Sequence, residues 1–287
     1  IDTSTAHRTA DGWIYGFPEI VGVDAIRHAK RIANPGCHAS GFVALVAPLV
    51  KAGLINPDAK LTCFSLTGYS GGGKPMIAAY EANQRDPLLD APRQYGLGQK
   101  HKHLPEMAKV CGLTYDPVFC PIVGDFYSGM EVTVMLHGSD VKGSIEDVKA
   151  AYRSTYVGTM VKLCVESDES GFLSAAAMSG RDDMEITVYG NEERLILTAR
   201  FDNLGKGASG AAIQNIVTDN ENTAKRAINY LKDNRAGRAT FLPLTSVKSR
   251  PFTEKGLEKC EGFVDMADKL LEYDAKYAEI IGSLLAR

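Results

Sequence analysis

The sequence lacks any apolar run approaching the ~18 residues that would cross a bilayer, which excludes a transmembrane helix. Its first residues, Ile1-Asp2-Thr3-Ser4, contain no charged region followed by an apolar one, so no signal peptide is read there. Basic charge is not in excess: 32 Lys and Arg stand against 35 Asp and Glu, a formal net charge of −3. Neither a nucleic-acid platform nor a polybasic membrane anchor is therefore expected. The six cysteines (Cys37, Cys63, Cys111, Cys120, Cys164 and Cys260) contain no Cys-X-X-Cys pair. Without a secretion signal they read as reduced thiols of a cytoplasmic protein, most of them small buried hydrophobes. Internal repeats, low-complexity tracts and coiled-coil heptads are absent too. What remains is an ordinary globular composition, 45% hydrophobic and 23% charged, over 287 residues, enough for two domains.

Along the chain, Trp13 to Glu19 reads as an aromatic, Pro-containing loop. Val23 to Ile32 has apolar residues at helical spacing, stopped by Asn34-Pro35-Gly36. A second helix is expected to begin at Cys37 and run toward Gly53. Leu61 to Leu66 reads as a strand, then a glycine-rich turn, then a helix through Tyr80. Residues 84–100 read as loop and Leu104 to Val110 as a short helix. Strands are expected at Val118 to Val123, Met130 to Leu136 and Val161 to Val165, with a helix from Ser144, its N-cap, to Tyr156. Met184 to Tyr189 and Arg194 to Phe201 alternate on either side of Gly190-Asn191-Glu192, the pattern of a β-hairpin. Beyond Gly210 the texture changes: a charged amphipathic helix from Asp219 to Asn234, a strand from Arg238 to Leu244, and a helix from Leu270 to Leu285.

Three segments carry chemistry. In Asn34-Pro35-Gly36-Cys37-His38 the cysteine opens a helix, where unpaired N–H groups and the positive end of the dipole favour a thiolate. The same N–H groups could hold an oxyanion. The plain alternative is a structural cysteine starting a core helix. His101-Lys102-His103-Leu104-Pro105-Glu106 sets two imidazoles and a carboxylate within six residues, suited to acid–base work. A metal site or a solvated turn are the competing readings, and no third ligand cluster has zinc-like spacing. Gly68-Tyr69-Ser70-Gly71-Gly72-Gly73-Lys74 would let a backbone approach a phosphate or cofactor. It fits neither GxxxxGK[ST], since Pro75 follows Lys74, nor GxGxxG. His7, His28, His38 and His137 read as structural or surface residues.

These segments, together with Asp2-Thr3-Ser4-Thr5-Ala6-His7-Arg8, Trp13-Ile14-Tyr15-Gly16-Phe17-Pro18-Glu19, Gly124-Asp125-Phe126-Tyr127-Ser128-Gly129-Met130 and Asp202-Asn203-Leu204-Gly205-Lys206-Gly207-Ala208-Ser209-Gly210-Ala211-Ala212-Ile213-Gln214-Asn215, resemble in order the shorter variant of N-acetyl-gamma-glutamyl-phosphate reductase. The resemblance covers residues 1–215 and implies an α+β, glyceraldehyde-3-phosphate-dehydrogenase-like catalytic and dimerisation domain. It implies a homodimer, NADP as cofactor, and a place in arginine biosynthesis. It further implies Cys37 as the nucleophile forming a thioester, His103 (or His101) as proton donor and Glu106 as its orienter. Arg8 becomes a candidate for the substrate carboxylate. Ser70, Gly71 and Gly72, with Gln214 and Asn215 beside them, would meet the nicotinamide.

Two departures from the family pattern shape the expected organisation. Family members carry a strand–glycine-turn–helix that cradles the dinucleotide ahead of the counterpart of Ile1, so residues 1–35 read as the remnant of that domain and 36–215 as the catalytic and dimerisation domain. Residues 216–287, including Gly237-Arg238-Ala239-Thr240-Phe241-Leu242-Pro243-Leu244, resemble the second half of a bacterial structural-maintenance-of-chromosomes hinge. The chain thus reads as a composite. The readings beside reductase are a dimerisation or interaction module and an inactive fusion.

Overall fold

Alternating apolar side chains build one mixed sheet, and a nearly all-apolar helix lies across it. The computed structural model describes residues 1–219. The chain divides into two compact units, Ile1–Asp219 and Asn220–Arg287, and the first is the one described here. The helices expected at 219–234 and 270–285, the strand at 238–244 and Cys260 lie outside the described residues.

The order of elements is β1 (Ile14–Tyr15), α1 (Pro18–Val21), α2 (Val23–Arg27), β2 (Ile32–Ala33), α3 (Cys37–Lys51), β3 (Thr62–Gly68), α4 (Gly73–Tyr80), β4 (Arg93–Gln94), α5 (Leu104–Cys111), β5 (Val118–Gly124), β6 (Met130–His137), α6 (Ile145–Thr155), β7 (Val161–Leu163), β8 (Met184–Asn191), β9 (Arg194–Phe201) and α7 (Gly210–Asp219). Seven strands form one sheet in the order β4-β5-β3-β6-β9-β8-β7. β3 pairs parallel with β5, and β7 with β8; the other neighbours are antiparallel. The expected α+β class holds.

α3 is the centre of the core. Every residue from His38 to Leu49 is buried, and Ala39, Phe42, Val43, Leu45 and Val46 pack with the inward side chains of β6, β8 and β9. Pro48 inside this helix has no N–H to give the Ala44 carbonyl, and the Tyr156 hydroxyl supplies that donor at 2.7 Å. Tyr152 donates to the Leu45 carbonyl at 2.6 Å, so α6 and the residue after it are tied to α3. Ser144 caps α6 as expected, in a reciprocal box with Asp147. The opposite face of the sheet keeps Phe64, Val118, Met135 and Ile196 partly exposed, an apolar stripe unusual for a surface. No helix among the described residues is long and apolar enough to cross a membrane.

Two early expectations are corrected. Trp13 to Glu19 is not loop: Ile14–Tyr15 form β1 and Pro18–Val21 a helical turn. The helix expected to reach Ile32 ends at Arg27, because Ile32–Ala33 pair in parallel with Ile14–Tyr15. Tertiary pairing outweighs local helical periodicity there. The hairpin matches, although β8 runs on through Gly190 and Asn191 to a tighter turn.

Close packing on α3 yields a stability test. A Cβ on Gly41 would lie 2.7 Å from Val132 Cβ and 2.9 Å from the Phe201 ring. Gly41→Ala should therefore cost about 1–3 kcal/mol by overpacking, despite alanine's ~1 kcal/mol advantage in a helix. Urea unfolding followed on the single tryptophan, Trp13, reads it; a raised midpoint would show slack at this crossing.

Candidate active site

Asn34-Pro35-Gly36 delivers the chain to α3 with Gly36 as N-cap, its backbone extended, and Cys37 in the first helical position. The Gly36 N–H donates to Glu106 Oε1 at 2.7 Å, and its carbonyl accepts the first helical bond from the Ser40 N–H. A side chain on Gly36 would overlap His103 Nε2 and an Arg8 nitrogen, so only glycine lets these groups approach. A Cβ on Gly207 would stand 3.0 Å from Cys37 Cβ. The cysteine is thus flanked by two glycine backbones, with His103 and Arg8 across the first.

Burial pushes the Cys37 thiol above its ordinary value; the His38 N–H, Arg8 and Lys102 work the other way. Burial thus opposes the thiolate that the start of the helix favours, and a base beside the sulfur would offset it. Three imidazoles cluster together rather than two, one of them on His38, the residue after Cys37. The His101 and His103 rings lie 4.8 Å apart, and His38 lies 5.7 and 5.6 Å from them. Burial, chiefly, pulls all three toward neutrality, His38 down to about 3. His103 Nδ1 is buried with no partner.

Glu106 is almost fully buried, and it does not bond His103. Its oxygens accept from the Tyr15 hydroxyl at 2.7 Å, the Gly36 N–H at 2.7 Å and Arg8 Nη1 at 3.3 Å. Burial raises its pKa while those donors oppose the rise. The expected role of orienting His103 is therefore not visible in the geometry; Glu106 fixes the strand–helix junction instead. Arg8 departs from expectation in the same way. Its nitrogens donate to the Asn34 and Thr3 carbonyls besides Glu106, leaving a scaffold arginine rather than an open carboxylate clamp.

The glycine-rich turn Tyr69–Gly72 follows β3, with Ser70 buried and its Oγ accepting from Asn203 Nδ2 at 3.0 Å. Asn203 also accepts the Gly129 N–H at 2.8 Å. Gln214 and Asn215 hydrogen-bond to other residues than Ser70 does. Gln214 donates to Glu19 and accepts from Lys206, whereas Asn215 Nδ2 donates to the Gly16 carbonyl and Asn34 Oδ1. Asn215 Oδ1 is buried without a partner. That free acceptor suits an amide N–H, as on a nicotinamide carboxamide, so the residues fit that end of a dinucleotide. Among the described residues no strand–glycine-turn–helix of the GxGxxG kind offers its phosphates a seat.

Three participants escaped the sequence. His38 bridges Ser65 Oγ and the Tyr95 hydroxyl, both at 2.7 Å. Adjacent residues on a helix point about 100° apart, so His38 next to Cys37 carried no sign of sharing its site. Ser65 was detectable only as a polar residue at an inward strand position, and Tyr95 sat in a stretch read as loop.

Against known families, residues 37–203 match the semialdehyde dehydrogenase dimerisation domain and residues 206–287 the flexible hinge domain of structural-maintenance-of-chromosomes proteins. The chain is 43% identical over 226 residues to N-acetyl-gamma-glutamyl-phosphate reductase of Rhizobium meliloti, covering 75% of this chain and 73% of that one. With N-acetyl-gamma-glutamyl-phosphate reductase 2 of Nostoc it shares 40% over 232 residues, 75% of this chain and 72% of the other. Its fold is similar to aspartate semialdehyde dehydrogenase II of Vibrio cholerae in complex with ASA (TM-score 0.57, 17% identity, 76% of this chain and 70% of that one). It is also similar to aspartate semialdehyde dehydrogenase of Francisella tularensis (TM-score 0.55, 14% identity, 80% and 74%).

A raised thiol pKa makes a pH statement. The thiolate fraction of Cys37 should be small near neutrality and grow as pH rises past the ordinary cysteine range. Iodoacetamide labelling at Cys37, quantified by peptide mass spectrometry, should accelerate steadily with pH. A rate already at its plateau near neutral pH would mean an ionised resting sulfur.

Proposed function

Because this chain belongs to the N-acetyl-gamma-glutamyl-phosphate reductase family, we propose that it reduces N-acetyl-glutamyl phosphate to N-acetyl-glutamate semialdehyde with NADPH, a cytoplasmic step of arginine biosynthesis. The observation that carries the reading is Cys37 in the first turn of α3, next to a Gly36 that has no room for a side chain because His103 and Arg8 stand against it. His103, whose Nε2 lies against Gly36 next to Cys37, is the acceptor for the thiol proton as the sulfur attacks the acyl carbon. The amides opening α3 hold the oxyanion until phosphate leaves and a Cys37 thioester remains. When bound, the reduced nicotinamide supplies the hydride that takes the thioester to the aldehyde level, with Ser70, Gly71, Gly72 and Asn215 as its holders. His101 is the second candidate for moving the proton, returned as the thiohemiacetal releases the semialdehyde.

The apolar stripe on the outer face of the sheet is the surface of the proposed homodimer. Phe64, Met135 and Ile196 share that face, Met135 directly opposite Ile196 in the β6–β9 register. A second reading rests on the hinge match over residues 206–287: a module for self-association.

Absorbance of NADPH with N-acetyl-glutamyl phosphate tests the reductase. Turnover is expected, with Cys37→Ser lowering kcat on the order of 10³-fold or more and His103→Asn by about 10²–10⁴-fold. Full activity in Cys37→Ser would remove the mechanism. The doubly substituted Met135→Lys, Ile196→Lys chain should sediment as a monomer; an unchanged dimer would place the interface elsewhere.

A further inference from the structure

The reduction needs a hold on the far end of its substrate, and Arg8, whose charge acts on Cys37, is already engaged by Glu106 and two carbonyls. Another guanidinium has no such commitments. Arg93 opens the edge strand β4, pairing with Val123, and Tyr95 continues the same line by donating its N–H to the Pro121 carbonyl. Residues two apart on a strand share a face, so Arg93 and Tyr95 project together toward the helix-covered side, about 6.6 Å apart along the backbone. Tyr95 ends on His38, the residue after Cys37. Arg93 therefore stands on the same sheet face as Tyr95, whose hydroxyl meets His38.

Its surroundings are those of a cation without a counter-ion. Arg93 lies over the Tyr80 ring, 5.4 Å from its centre, and Nη2 donates to the Tyr80 hydroxyl at 3.1 Å. Its Nε is buried with no hydrogen-bond partner. The two nearby carboxylates, Asp90 and Asp125, pair with Arg85, which also donates to the Tyr80 carbonyl. Two arginines thus flank Tyr80; one takes both carboxylates and the other takes none. No ion pair of Arg93 occurs among the described residues. A half-buried fork with an unused Nε–H is costly unless a planar anion completes it, and a carboxylate matches that fork through two parallel bonds.

We propose that Arg93 binds the non-reacting carboxylate of the acyl substrate, and so selects acyl phosphates that carry an acidic group on the carbon bearing the acylamino nitrogen. The inference rests on the reductase reading for its substrate. Arg93 fixes that end of the molecule through Nε and one Nη, while the Tyr80 ring keeps the guanidinium in plane. The acyl end is then free to reach Cys37.

Calorimetric titration of the full chain with N-acetylglutamate and with 4-acetamidobutyrate, which lacks only that carboxylate, tests it without cofactor or turnover. The wild-type chain should bind N-acetylglutamate about 10- to 100-fold more tightly. Arg93→Gln should bind the two alike, and Arg93→Lys should keep part of the preference. Trp13 unfolding curves verify that each variant is folded; were Arg93→Gln to unfold, Arg93→Lys still decides, through loss of part of the preference or none. Equal binding of the two ligands by wild type, or a preference that survives Arg93→Gln, overturns the proposal. So does a variant whose affinity falls for inorganic phosphate alone, since the anion would then be a phosphate. Absent turnover with an intact, Arg93-dependent preference would instead count against the reductase reading only.

Discussion

One buried carboxylate holds the site together. Glu106 stands in the first turn of α5, almost fully removed from solvent, and gathers three donors from three parts of the chain: Tyr15 on β1, Gly36 before α3, and Arg8. Removing a carboxylate from water costs several kcal/mol, and only satisfied lone pairs and a paired charge offset it. Here every partner is also a positioning element. The Gly36 bond sets where α3 starts, and Arg8 at the same time grips the Asn34 carbonyl that leads into it. The position of Cys37 is consequently fixed from outside its own helix, by a group 70 residues away in sequence.

The electrostatic state of the site follows from the same burial. Desolvation raises the Cys37 thiol and lowers the His38, His101 and His103 imidazoles, so burial favours the uncharged form of each. A neutral thiol beside neutral imidazoles differs from the preformed ion pair that a cysteine at a helix start suggests. It is nonetheless coherent: charge separates only when an electrophile arrives to accept the sulfur's electron pair, and the α3 amides are oriented for the negative charge that then develops. His38 is the most constrained of the three, bonded at both nitrogens between Ser65 and Tyr95. That places it as a support for its neighbours, with His103, whose Nδ1 is unpartnered, as the adaptable one.

What could be read in advance was whatever is encoded locally. Pro-Gly before Cys37 fixed the start of α3, Ser144 with Asp147 the start of α6, and alternation the β8–β9 hairpin. The chemically loaded residues were also legible as types, and His101 and His103 do lie together, His103 against Gly36 next to Cys37. Their wiring was not. Glu106 sits three residues after His103 in sequence, which suggested a partnership, yet on the first turn of α5 its carboxylate turns to Gly36, Tyr15 and Arg8. The bonds of Ser70 to Asn203, of Gln214 to Glu19, and of Asn215 to Gly16 and Asn34 had no sign in the sequence either. Hydrogen-bond partners across a fold are decided by tertiary packing, about which spacing along the chain says little.

The junction between the two matched families shows the same rule at larger scale. The semialdehyde dehydrogenase domain match ends at residue 203 and the hinge match begins at 206, yet the similarity to the reductase relatives covers 75% of the chain, more than residues 1–203 contain. Packing likewise keeps Lys206 to Asn215 with the first unit. Lys206 is buried in an ion pair with Glu19 and lies over the Phe17 ring; Asn34 Nδ2 donates to the Ala208 carbonyl; Gly207 backs onto Cys37; and Asn215 is fully buried against Gly16. Each contact returns to the first 37 residues of the chain. A cut at residue 204 would leave Glu19 without its cation and expose the back of the cysteine helix, so the first unit needs its chain through α7 whatever the ancestry of that stretch. The compact unit accordingly runs to Asp219, and its last two turns close the site that its first turns open.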